Sequence, residues 1–222
     1  RIRHRPPEAV VRDIQTAGGN IFVLADDNLF ADRPAGVALC AALKPLRIRW
    51  ACQIGMDRAA DGALVETMAD SGCIMALVGF ESLNRENLRQ MRKDWNAGAA
   101  KYEEVARLFH ANGIMLYGAF VLGYDADTPD TVRACVDLAV RLKFALANFN
   151  LLIPFPGTTL YARLQREQRL RYDPWWLHPD YRFGQAAFRP RGMTVTQLEQ
   201  SCLRARQDFN SLGSILHRAL DP

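Results

Sequence analysis

Five apolar runs in this sequence each end in residues that can hold a ligand or let one approach. Ile21-Phe22-Val23-Leu24-Ala25 gives way to Asp26-Asp27-Asn28, two carboxylates and an amide. A run from Ile48 ends at Gln53, and one from Cys73 continues as Val78-Gly79-Phe80-Glu81-Ser82. The fourth closes with Gly118-Ala119-Phe120-Val121-Leu122-Gly123-Tyr124-Asp125, and the fifth leaves through Ile153-Pro154-Phe155-Pro156-Gly157-Thr158. Such polar groups bind small polar molecules, and glycines in or just past a strand let a flat ligand lie against the backbone. Plainer readings exist for each exit. Asp26, Asp27 or Glu81-Ser82-Leu83-Asn84 could cap a following helix, and Pro156-Gly157 is turn composition. Five such exits on one rim are harder to assign to capping, and together they read as a small-molecule pocket. Neither a Gly-x-Gly-x-x-Gly nor a phosphate-loop pattern is present, which argues against an ordinary dinucleotide or nucleoside-triphosphate site.

The exits share a rim only if the runs are parallel strands. Branched-rich runs near 21–25, 48–54, 73–79, 114–122 and 145–152 begin 25 to 41 residues apart, a spacing that suits βαβ units. Helical patterns fill the gaps. Pro6-Pro7-Glu8 opens one faced by Val10, Val11 and Ile14, and Gly18-Gly19 stops it; Thr128-Pro129-Asp130 opens another carrying Val132, Cys135, Val136 and Leu142. Strands apolar throughout predict burial on both faces beneath helices. The fold class expected is therefore α/β, and ligands of parallel α/β folds sit beyond the carboxyl ends of the strands. Five strands are too few for an eight-stranded barrel, and the order begins with a helix. After Leu152 the alternation stops, leaving loops, aromatics and a final helix from Val195 to about Leu216.

The chain has 222 residues, 49% hydrophobic and 23% charged, which fits one globular domain and excludes a disordered or fibrous chain. No stretch approaches the ~18 apolar residues of a membrane span, and Arg1 to Glu8 lack the apolar core of a secretion signal, so a cytoplasmic protein is expected. The net charge of +4 comes from residues 163–191, where seven arginines face three carboxylates. That segment is either a nucleic-acid surface or a packed cover whose arginines lie in solvent or pair with carboxylates; so small a total charge favours the cover, and no nucleic-acid partner is expected. Trp175, Trp176, Phe183 and Phe188 carry too much apolar surface to leave in water, so the cover is expected to pack on the barrel. Cys40, Cys52, Cys73, Cys135 and Cys202 lie 12 to 67 positions apart, without the close spacing that lets one loop wrap a metal, and read as small core residues. The four lysines, Lys44, Lys93, Lys101 and Lys143, all fall outside the strands, which speaks against a Schiff-base lyase.

In this order and spacing, several stretches resemble the radical S-adenosylmethionine (SAM) enzymes, of the branch that often carries a cobalamin-binding domain. They are Phe22 to Asn28, Val78 to Asn84, Leu88-Arg89-Gln90-Met91-Arg92-Lys93, Gly118 to Gly123 and Pro154 to Thr158. The resemblance implies a partial (β/α) TIM-like barrel over residues 1–160 that binds SAM against a [4Fe-4S] cluster, with residues 161–222 as a C-terminal extension. It places Asp27 and Asn28 near the SAM amino group, with Gln53 on the same rim. Glu81 and Ser82 fall at the ribose, Lys93 at the carboxylate, and Phe120, Val121 and Ile153 around adenine. It also implies a 5′-deoxyadenosyl radical, a small-molecule substrate, a reductant such as a flavodoxin or ferredoxin, and, as the outcome, methyl transfer in which cobalamin takes part or a ring rearrangement.

One part of the resemblance is missing. The family's Cys-x-x-x-Cys-x-x-Cys, which supplies the cluster's thiolates, does not occur. The expectation is a piece that starts just after that loop, inactive by itself. The alternative is a relative without the cysteines, a noncatalytic scaffold binding a nucleoside-like ligand or a partner protein.

Overall fold

The computed structural model describes residues 3–93 and 99–220. Proline and glycine punctuate its first helix as expected. Pro7 opens α1 (Pro7–Ala17), and Gly18, at φ 69°, returns its N–H to the Ile14 carbonyl. The sheet that follows comprises β1 (Ile21–Val23), β2 (Arg49–Ile54), β3 (Cys73–Glu81), β4 (Met115–Leu122) and β5 (Leu146–Leu151). Its strands lie in sequential order, and every neighbouring pair is parallel. This is the curled, partial barrel of the (β/α) type. Between the strands run α2 (Arg33–Leu43), α3 (Met56–Ala59), α4 (Gly62–Asp70), α5 (Arg85–Gln90), α6 (Ala99–Ala111) and α7 (Pro129–Arg141). Thr128 and Thr131 cap α7 reciprocally.

Strand alternation sorts the side chains between two unlike faces. Trp50, Cys52, Ile54, Val78, Phe80, Leu116, Phe120, Leu122 and Phe149 are buried under the helices. Phe80 is at the centre of this layer, with ring centroids 4.6 Å from Phe144, 5.0 Å from Tyr102 and 5.9 Å from Phe120. Gly118 leaves room for it: a Cβ there would run into the Phe144 ring. The other face is only partly covered. Val23, Met115 and Leu146 are exposed there, and Gln53, Leu77, Tyr117 and Val121 are half-buried. Burial of both strand faces was expected from composition and is not what the sheet shows. Helices cover the convex side, and the concave side of an incomplete barrel has no such layer among the described residues.

Beyond β5 come α8 (Thr159–Arg166), α9 (Val195–Phe209) and α10 (Leu212–Ala219). The single final helix expected from Val195 is two, because Ser211 leaves helical geometry and its hydroxyl accepts the Ser214 N–H to start α10. α9 closes the β5 edge: the Cys202 thiol and the Arg206 guanidinium both donate to the Phe149 carbonyl, at 3.1 and 3.0 Å. Gly118→Ala should destabilise the chain by about 1–3 kcal/mol through overpacking. A lower urea midpoint at unchanged slope is the expected result, and an unchanged midpoint would show that Phe144 can swing aside.

Candidate functional site

The capping alternatives for the rim residues are settled by the caps themselves. Asp32, not Asp26 or Asp27, caps α2 by accepting the Ala35 N–H at 3.1 Å. In the stretch Glu81-Ser82-Leu83-Asn84 the capping reading holds for its last residue, Asn84, which caps α5 through the Glu86 and Asn87 N–H groups and leaves Glu81 uncommitted to the cap. Asp26 and Asp27 are exposed on the β1 exit. Asn28 accepts the Gly55 N–H at 3.2 Å, and the Leu29 N–H donates to the Gln53 carbonyl at 3.0 Å. The first two strand exits are thereby tied together, with Gln53 half-buried between them.

At the β3 exit the register against β4 slips between Gly79 and Glu81, a bulge of the kind that re-aims a side chain at a barrel rim. Glu81 has φ 64°, a left-handed conformation that costs a non-glycine residue about 1–2 kcal/mol. Its carboxylate packs where a Cβ on Gly79 would be, and it pairs with the Lys93 ammonium at 2.5 Å. Ser82 turns away from this pair. Its buried hydroxyl accepts the Asn84 N–H at 3.1 Å and the Asn87 amide at 3.4 Å.

Below the pair is a buried polar network that the sequence did not disclose. Asn87 donates to Asp127 at 2.7 Å and accepts the Ala126 N–H at 3.0 Å. Asp127 also accepts the Gly123 and Tyr124 N–H groups at 2.8 and 3.0 Å, and the Thr131 hydroxyl. The exits of β3 and β4 are thus one hydrogen-bonded unit. Burial pushes the Asp127 carboxyl above its ordinary value of 3.8, against the pull of these donors. The only surface signal was Asp127-Thr128-Pro129, which reads equally well as a helix start.

At the far side of the rim Val121 and Ile153 line one cavity of about 390 Å³, with Asn150, Phe155, Tyr181 and Arg206. Phe120 does not join them. Adjacent positions of a strand face opposite ways, and Phe120 is stacked on Phe149 beneath the helices, centroids 5.3 Å apart. Its expected place beside an adenine is therefore not available to it. The structure thus ties the Asn28 loop to the exit of β2 at Gln53 and Gly55, pairs Glu81 with Lys93, and sets Val121 with Ile153 on one cavity, in three groups along the rim.

Four of the seven arginines of residues 163–191, namely Arg163, Arg169, Arg171 and Arg191, pair with carboxylates. Asp125, at the β4 exit, pairs with Arg169 at 2.8 Å and Arg163 at 3.1 Å, and Glu167 pairs with Arg169 and Arg191. Trp175 and Phe188 are buried, whereas Trp176 is 42% and Phe183 95% exposed. The expected cover therefore buries only half of its large aromatics. All five cysteines are buried and free, and among the described residues no group of three His, Cys, Asp or Glu side chains could hold a metal.

The chain matches no model of a known protein family. It is 27% identical over 197 residues to bacteriochlorophyllide d C-12(1)-methyltransferase of Chlorobaculum tepidum, covering 89% of this chain and 42% of that protein. To the hopanoid C-2 methylase of Rhodopseudomonas palustris it is 28% identical over 182 residues, 77% of this chain and 34% of the methylase. Among solved structures, the radical SAM methyltransferase TsrM from Kitasatospora setae, with cobalamin and a [4Fe-4S] cluster bound, superposes with a TM-score of 0.63 at 21% identity. That match covers 73% of this chain and 32% of TsrM. The chain has the fold of TsrM's partial barrel and is similar in sequence to these methyltransferases. It spans less than half the length of each of these relatives. No helix among the barrel's described residues is long and apolar enough to cross a membrane.

The raised Asp127 pKa has a definite sign in stability. A carboxyl whose folded pKa lies above its unfolded value contributes fully below that unfolded value and loses its contribution as pH rises through the folded one. Asp127→Asn should therefore show a larger stability deficit at about pH 4 than at about pH 7, read from urea midpoints. The opposite ordering would mean that the donors outweigh burial.

Proposed function

We propose that this chain is the catalytic-barrel portion of a radical SAM enzyme, binding SAM along the carboxyl ends of its strands. The observation that carries the reading is the pairing of a strained Glu81 with Lys93 on a rim that also bears Asn28, Gln53 and an apolar cavity. A zwitterionic amino acid joined to a nucleoside asks for this combination. Lys93 would face the SAM carboxylate, Asp27 and Asn28 its ammonium, and Glu81 the ribose hydroxyls. Val121 and Ile153 would flank the base, with the cavity walls excluding water from it. Ser82, committed to Asn84 and Asn87, would act through the backbone of the loop rather than through its hydroxyl. Bound beside a reduced [4Fe-4S] cluster, SAM supplies a 5′-deoxyadenosyl radical; the rim's own part is to bind and orient it.

The cluster is a different matter. All five thiols are buried, and Cys40, Cys52 and Cys73, which lie near one another, come from a helix and two strands; they do not fit three ligands on one loop, so residues 1–222 hold no cluster of their own in this reading. Its ligands, and the electron donor of flavodoxin or ferredoxin type, would come from outside this chain. The related enzymes are named for methyl transfer to a bacteriochlorophyllide and a hopanoid, large and mainly apolar molecules. Exposed Phe155 and Phe183, which line the cavity at the strand ends, support a substrate with an apolar body, and the likeness to these enzymes supports methyl transfer with cobalamin as the outcome.

Lys93→Ala and Glu81→Ala should each weaken SAM binding by roughly 1.5–3 kcal/mol, the worth of a charge-assisted hydrogen bond, as measured by calorimetric titration. Unchanged affinity in both variants would remove the site assignment. Iron and sulfide reconstitution of residues 1–222 should leave no thiolate-to-iron absorbance in the visible range, and its appearance would show that these cysteines can assemble a cluster after all.

A further inference from the structure

We infer that Tyr102 is a positioning residue, whose hydroxyl holds Glu81 in its left-handed conformation and so aims the Glu81–Lys93 pair at the ligand. This inference rests on the reading of the rim as a SAM site. Tyr102 lies on α6, fully buried, with its ring edge-on to Phe80. The hydroxyl reaches past that ring to the main chain, 2.9 Å from the Phe80 carbonyl and 3.0 Å from the Ser82 carbonyl. These are the two carbonyls on either side of Glu81. The Ser82 N–H turns back to the Phe80 carbonyl at 2.8 Å, a tight turn centred on Glu81, and the hydroxyl bridges the carbonyls of the two residues that bound that turn. A left-handed non-glycine residue persists only where its surroundings over-determine it. Here the hydroxyl supplies one constraint from below, and the Asn84 cap and the Asn87–Asp127 bond fix the loop that follows.

The position also explains why a tyrosine is buried here with its hydroxyl. A phenylalanine would make the same contacts with Phe80, so packing alone does not ask for the oxygen. Desolvation raises the Tyr102 pKa, with the Glu81 charge adding to it, which keeps the hydroxyl protonated and a donor.

Tyr102→Phe removes the donor and keeps the ring, and a double-mutant cycle with Glu81→Gly isolates the coupling, since glycine adopts φ 64° without strain. Tyr102→Phe is expected to weaken SAM binding about tenfold, ~1.4 kcal/mol, in calorimetric titration of the full-length protein. In the Glu81→Gly background the same change should have no further effect. Unchanged affinity, or effects that simply add, would overturn the proposal. The Glu81 ¹³Cα chemical shift reports the backbone directly: it should leave the left-handed range in Tyr102→Phe, and its retention there would overturn the proposal whether or not SAM binds. Wild-type protein that fails to bind SAM would instead count against the reading of the site, leaving the chemical shift to decide the role of Tyr102. Should Tyr102→Phe alone not fold, Glu81→Gly is expected to restore folding, and failure to restore it would also overturn the proposal.

Discussion

The Asn87 amide meets the Asp127 carboxylate at 2.7 Å in the dry layer beneath the strand ends, and the rim is organised around that bond. A buried carboxylate left without donors would cost several kcal/mol, so the chain brings Gly123, Tyr124, Thr131 and Asn87 to it. Meeting that demand joins the exits of β3 and β4 into one unit. Glu81 and Lys93 project from one half of the unit, and Tyr124 and Val121, which border the apolar cavity, from the other. The polar end and the apolar end of the site are thereby kept in register with each other, although Glu81 and Val121 stand 40 positions apart in the sequence.

The sheet beneath obeys a second constraint. A curled parallel sheet has a convex face wide enough for a layer of helices and a concave face that is not. Phe80, Phe120, Phe144 and Phe149 pack together on the convex side, where each buried aromatic ring contributes about 1.5–3 kcal/mol. The concave side keeps Gln53, Tyr117 and Val121 within reach of a ligand. Stability and binding are thus divided between alternate residues of the same strands. The division explains how Phe120 can be indispensable to the core while its neighbour Val121 faces the cavity.

Charge follows the same economy of position. The arginine excess of residues 163–191 looks like a surface for a polyanion when counted along the chain. In space Arg163, Arg169 and Arg191 gather on Asp125 and Glu167 and fasten this segment to the β4 exit. Partly buried pairs of this kind hold a geometry more than they add stability, and the geometry held is that of the loops above the strand ends.

The sequence alone carried a great deal. Apolar runs bounded by glycine, proline and capping residues are local signals, so five strands, their order and the helices between them could be read directly, as could the polar character of each strand exit. Which exits touch which, and with what, is not local. The layer that Phe120 joins is made by Phe149, brought by β5, and by Phe144, from the connection that precedes it. The reach of Tyr102 to the turn at Glu81 depends on α6 bringing that ring against Phe80 of β3. Asn87 and Asp127 are ordinary polar residues forty positions apart until the parallel sheet sets their loops side by side. Composition and period determined the architecture because they act within a few residues; only the tertiary structure decided the site, because its bonds close across strands.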